Sequence, residues 1–176
     1  FLSGKEEEVE AFILSFIRER VAQRIATITK RHDIIDAVVN SNTSSVPEQL
    51  KAAKVLSAVS ESEEFKGITE ALNRVINISA KAQDDASGEI LEERLETESE
   101  RNLVKAIQEL NAKVGSLTPE ELYSHLEAMA PKINDFFNEN MVMVDDEATR
   151  RNRLRFLGLL SQIILDFADF TTLIVK

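Results

Sequence analysis

Arg74, Asn77 and Lys81 stand three and four residues apart, so a helix carries them on one face. Two cationic groups flanking an amide can hold phosphates and a base edge together. Arg18 is placed to extend such a surface from another helix. A second basic group, Arg150, Arg151, Arg153 and Arg155, crowds the start of an apolar stretch. Successive helical residues turn by about 100°, so these four arginines do not all serve one surface. Some are expected to bridge to the acids at 145–147, leaving Arg150 and Arg151 as further candidates for phosphate contact. A solvated polar helix face would give the same two patterns, and that reading stays open beside the RNA one.

Other chemistry finds little support. His32 and His125 are the only histidines, and neither has a metal-ligand spacing. Asp84-Asp85 and Asp145-Asp146 read as helix-dipole partners rather than cation sites. The five glycines are isolated, so no phosphate-cradling loop exists. No catalytic residue and no metal ligand is assigned. Phe136 and Phe137 invite base stacking, but their position beside Ile133 makes at least one a core residue.

The elements that must place these groups are helical. With 43% hydrophobic and 30% charged residues, 5 Gly and 3 Pro, the 176-residue chain reads as one all-α domain, 1–176, of about seven helices. Cysteine is absent, which excludes disulfides and thiolate metal sites. No apolar run approaches the roughly 20 residues that cross a bilayer, so no membrane partner is expected. The first residues, Phe1-Leu2-Ser3-Gly4-Lys5, lack a signal-peptide pattern. Together these suggest a C-terminal piece of a longer, cytoplasmic protein. The net charge of −10 argues against a uniformly basic binder, but residues 84–100 hold eight acids against Arg94 alone. The rest of the chain is close to neutral, and local basic faces remain available.

Periodicity predicts a first helix from Lys5 to Lys30, with Val9, Phe12, Ile13, Phe16, Ile17, Val21, Ile25 and Ile28 forming its apolar stripe. Arg20 lies near that stripe and is expected in a buried ion pair with Asp36. Asp33 is expected to cap a short second helix. Asn40–Ser45 reads as a loop, and Pro47 opens a third helix. A fourth, marked by Phe65, Ile68, Leu72, Val75, Ile76 and Ile78, fades into a Gln83–Gly88 turn. A fifth carries Leu95, Leu103, Val104, Ile107 and Leu110. Thr118-Pro119-Glu120-Glu121 is a capping box opening the next helix, which Pro131 is expected to break near Met129–Pro131. The last helix runs from Asp145–Glu147 to about Leu173, burying Leu154, Leu157, Leu160, Ile164 and Phe167.

Several blocks, in order, resemble the C-terminal anticodon-binding, DALR-like domain of bacterial glycyl-tRNA synthetase β subunits. The most specific is Phe136-Phe137, then Met141-Val142-Met143, then Arg150-Arg151-Asn152-Arg153-Leu154. Arg74-Val75-Ile76-Asn77-Ile78 resembles the family's Arg-Val-x-Asn-Ile motif, with Asn73 at a commonly basic position. Phe16–Val21 and Asp33–Val38 resemble earlier blocks, and Lys51–Leu56 fits loosely.

This resemblance implies a helical bundle of the kind found in arginyl- and cysteinyl-tRNA synthetases. It implies a parent ligase that attaches glycine to tRNA-Gly with ATP and Mg²⁺, and a separate α subunit in an α2β2 assembly. No cofactor is implied for the present chain. Glycine codons begin GG, so the anticodon offers two cytosines to be read. A helical protein-interaction module without RNA, or the anticodon-binding domain of another synthetase, remain as alternatives.

Overall fold

The computed structural model describes residues 3–81 and 88–175; the Asp84-Asp85 pair lies outside them. Among the described residues the chain is all-helical, as the sequence predicts. Seven α-helices follow in order: α1 (Ser3–Ile25), α2 (His32–Val39), α3 (Val46–Val59), α4 (Glu64–Ala80), α5 (Glu98–Lys113), α6 (Pro119–Glu139) and α7 (Glu147–Phe167). Short 3₁₀ turns occupy Glu92–Arg94, Val114–Ser116 and Phe170–Thr172.

The bundle is organised around α4, which packs on both α6 and α7. Its buried residues, Phe65, Ile68, Ala71, Leu72, Val75 and Ile76, recur at helical spacing and turn the opposite face, with Arg74 and Asn77, to solvent. Along α7 the predicted stripe is buried from Leu154 to Phe167, joined by Phe156 and Ile163. Side chain–backbone bonds fix the helix starts. Thr118 accepts from the Glu121 N–H while Glu121 accepts from the Thr118 N–H, which is the predicted capping box. Thr97 and Glu100 make a second one at α5. Asp146 caps α7 by accepting from the Thr149 N–H at 2.9 Å.

Four expectations are corrected. First, α6 runs unbroken through Pro131. Pro131 and Glu127, the residue one turn back whose carbonyl loses its helical donor to the proline, are both exposed, while Leu126, Met129, Ala130 and Ile133 stay buried on either side. Burial of that in-phase stripe outweighs a local cost of about 3 kcal/mol. Pro131→Ala is therefore expected to stabilise the fold by about 1–2 kcal/mol. The regained helix propensity is partly offset by a looser unfolded chain. Urea melts monitored by circular dichroism would show this gain.

Second, α1 packs only through its C-terminal end, at Val21 and Ile25, against α2 and α3. Val9, Phe12, Ile13, Phe16 and Ile17 are exposed, Phe12 by 71%. Arg20 is accordingly exposed and stacks on Phe16, one turn earlier on its own helix, with its Cζ 5.5 Å from the ring centroid. Asp36 stands exposed on α2, so the predicted ion pair is replaced by this contact. Third, Arg31 rather than Asp33 occupies the cap position of α2. Asp33 is engaged elsewhere: it accepts from Arg31 at 2.6 Å and from the Ile174 N–H at 2.9 Å, pinning the chain's last described residues.

Fourth, α7 ends at Phe167 rather than near Leu173. Ala168 is extended, and the Asp169 carboxylate accepts from the Thr171 N–H and hydroxyl, which builds a turn instead of another helical one. That turn drops Phe170 and Leu173 into the core.

Candidate nucleic-acid interface

The α4 helix delivers its polar stripe as the spacing requires. Arg74, Asn77 and Lys81 line one shallow concavity with Glu70, Asn73 and Ile78. All three are exposed. Lys81 is the C-cap of α4, where a cation also complements the helix dipole. Arg74 meets a neighbour that sequence spacing does not disclose: its Cζ sits 4.1 Å from the centroid of the Phe137 ring on α6. Phe137 is itself buried, edge-on to Phe136 at 5.1 Å. Phe136 and Phe137 both belong to the core, and Phe137 additionally underlies the polar face.

Arg18 is exposed on α1 and does not line this concavity. The helices that carry it and the stripe differ in partners, α1 resting on α2 and α3, α4 on α6 and α7.

The arginines of α7 face in several directions, as their angular spread demands. Arg150 is half-buried and donates to the Val144 carbonyl at 3.0 Å. Arg151 is exposed and pairs with Glu147 at 2.5 Å, one turn back. Arg155 donates to the Glu89 carbonyl at 3.1 Å. Arg153 is buried: it meets Glu100 at 2.6 Å, Glu96 at 2.9 Å and the Met141 carbonyl at 2.8 Å. Asn152, also buried, exchanges two hydrogen bonds with the Leu91 backbone at 2.7 and 2.9 Å. This end of α7 thus clamps the segment before α5 and the corner between α6 and α7. Arg150 is bonded into the corner before α7, and Arg151 pairs along α7 itself.

Electrostatics supports the division. Burial acts to raise the Glu100 carboxyl, but hydrogen bonds from Arg153 and from the Thr97 and Glu96 N–H groups hold it below the ordinary carboxylate value. The Asp146 carboxyl is held low by its bonds to Thr149, as befits a cap. Among the described residues, no group of three His, Asp or Glu side chains is placed to hold a metal ion. No helix among them is long and apolar enough to cross a membrane.

Comparison with known proteins shows the family. The family described as DALR anticodon binding domain matches residues 68–169, which take in most of α4 and everything through α7. Curated relatives named glycine–tRNA ligase beta subunit match nearly the whole chain. The protein from Lactiplantibacillus plantarum is 34% identical over 172 residues, covering 97% of this chain and 25% of that protein. The one from Lacticaseibacillus casei is 35% identical over 174 residues, covering 99% and 24%. The one from Streptococcus pyogenes is 37% identical over 167 residues, covering 95% and 24%. The chain thus spans about a quarter of the length of the curated relatives it matches.

Proposed function

This chain belongs to the family of DALR anticodon-binding domains, and from that premise we propose that it reads the anticodon arm of tRNA-Gly within a glycine–tRNA ligase β subunit. The supporting observation is that the matched region contains an exposed Arg–Asn–Lys face on α4, while Arg153 of α7 is buried against Glu100 and Arg150 donates to the Val144 carbonyl. In this reading Lys81 neutralises a phosphate, Asn77 reads a base edge, and Arg74 contributes planar N–H donors. Arg18 is an outlying phosphate contact, and Arg150 and Arg151 form a secondary one. The parent assembly uses ATP and Mg²⁺ and works with a separate α subunit as an α2β2 tetramer in the cytoplasm. The present chain supplies recognition, not ligation.

Binding of tRNA-Gly measured against salt concentration tests the assignment. Lys81→Ala is expected to weaken all tRNAs alike and to lower the salt slope by about 0.7, the value for one single-strand phosphate. Asn77→Ala is expected to shrink the gap between cognate and anticodon-swapped tRNA by about 1–3 kcal/mol. If the folded double variant Arg74→Ala/Asn77→Ala keeps both affinity and discrimination, the site lies elsewhere, with the arginines at 150–151 next in line.

A further inference from the structure

We infer that Arg74 and Phe137 together form a preformed stacking platform for one unpaired nucleobase of the bound RNA. The inference rests on the reading that the α4 stripe faces RNA, and it changes what Arg74 does there. An arginine kept for phosphate contact ordinarily extends as a mobile charge into solvent. Here the guanidinium lies over an aromatic ring at 4.1 Å, close enough for face contact. The ring is buried and braced by Phe136, which in turn meets Phe156 at 5.3 Å, so the base of the stack is core rather than surface. Arg74 itself remains exposed. Phe137 thus backs the guanidinium on one side, while Arg74 stays exposed within the concavity that Asn77 and Lys81 share, where its plane is open to a stacked base.

That geometry fits an unpaired base better than a phosphate. Single-stranded bases stack on arginine planes as well as on aromatic rings, and every base has a π-face to offer. The side chain already rests against the ring, so less rotamer freedom is lost on binding than for a side chain without that contact. Asn77 and Lys81, one and two turns further along α4, are then positioned at the edge of the stacked base and its backbone. Lysine would conserve the charge at position 74 but not the plane.

The test uses an RNA hairpin carrying the glycine anticodon, with fluorescent pyrrolo-cytosine replacing one anticodon cytosine, beside a hairpin abasic at that position. The unsubstituted chain should alter the fluorescence on binding and prefer the intact hairpin by about tenfold or more, within the range of one base stack. Arg74→Lys should lose that preference while leaving abasic-hairpin affinity and the salt slope unchanged. Phe137→Leu keeps an apolar group in the core but removes the ring, and should reproduce the loss. If Arg74→Lys binds like the unsubstituted chain while Arg74→Ala lowers the salt slope, Arg74 is a phosphate contact and the platform is wrong. If Lys81→Ala and Arg74→Ala/Asn77→Ala also leave hairpin binding untouched, the α4 reading fails and takes the platform with it.

Discussion

Arg153→Ala is expected to destabilise the domain by about 3–5 kcal/mol at neutral pH, the penalty for stranding one member of a buried ion pair. The pair is sealed: the Arg153 side chain is 5% exposed and that of Glu100 1%. Truncation removes the Nε donor to Glu100 and the Nη1 donor to the Met141 carbonyl together. Glu96, 60% exposed, adds little to the cost. The sign with pH is distinctive. In the unsubstituted chain Glu100 is held below its ordinary value, so its contribution is complete above about pH 4.3 and falls away as pH drops through the folded-state value. Without Arg153, burial dominates and the carboxyl moves above its ordinary value. The deficit is then largest at pH 7 and shrinks toward pH 4, where the folded variant carries Glu100 protonated and no unpaired charge is buried. Urea melts at the two pH values measure this directly. A loss below 1 kcal/mol at pH 7, or one that does not change with pH, would refute the account.

The burial of Arg153 was written in the sequence, though not in its charge. Counting back from Phe167, Ile164, Leu160 and Leu157, the next residue in phase is Arg153, so the apolar stripe of α7 runs directly into it. Its partner was concealed by composition, because Glu100 sits within an acidic run that reads as solvated surface. The local pattern Thr97-x-x-Glu100 is nonetheless a capping box, and that box is what turns Glu100 inward. The same carboxylate receives the Thr97 N–H and the Arg153 guanidinium, so one residue starts α5 and anchors α7. Thr118 and Glu121 form a box with no such second duty, and there the sequence reading needed no amendment.

Local signals were reliable where the energy is local and failed where it is tertiary. Periodicity identified the apolar stripe of α1 but carries no information on what covers it; only its end at Val21 and Ile25 meets the rest of this chain. The Arg20–Asp36 pairing fell with that assumption. Pro131 is the converse case, in which a strong local break yields to burial on both sides. The stripe of Arg74, Asn77 and Lys81 was legible because helical spacing alone defines it. The ring beneath Arg74 was not, because Phe137 lies 63 positions away on another helix and no spacing rule reaches so far.

Phe136→Ala is expected to cost about 3–5 kcal/mol, with consequences at the surface proposed to meet RNA as well as in the core. Phe136 is 0% exposed and meets Phe137 at 5.1 Å and Phe156 at 5.3 Å, both edge-on. Removing it deletes apolar burial, two aromatic contacts and the volume that separates α6 from α7. The cavity abuts Phe137, which would gain freedom to tip inward and release Arg74 from its ring. Phe136→Leu, filling most of that space, should recover the larger part of the loss. Denaturant melts give the stability. Fluorescence of a pyrrolo-cytosine hairpin bound to the folded fraction reports the surface, because a stack that depends on its foundation should weaken in the alanine variant and return in the leucine one. Full retention of stability in Phe136→Ala would mean that α6 and α7 close over the gap, and that the core beneath Arg74 is far softer than its packing implies.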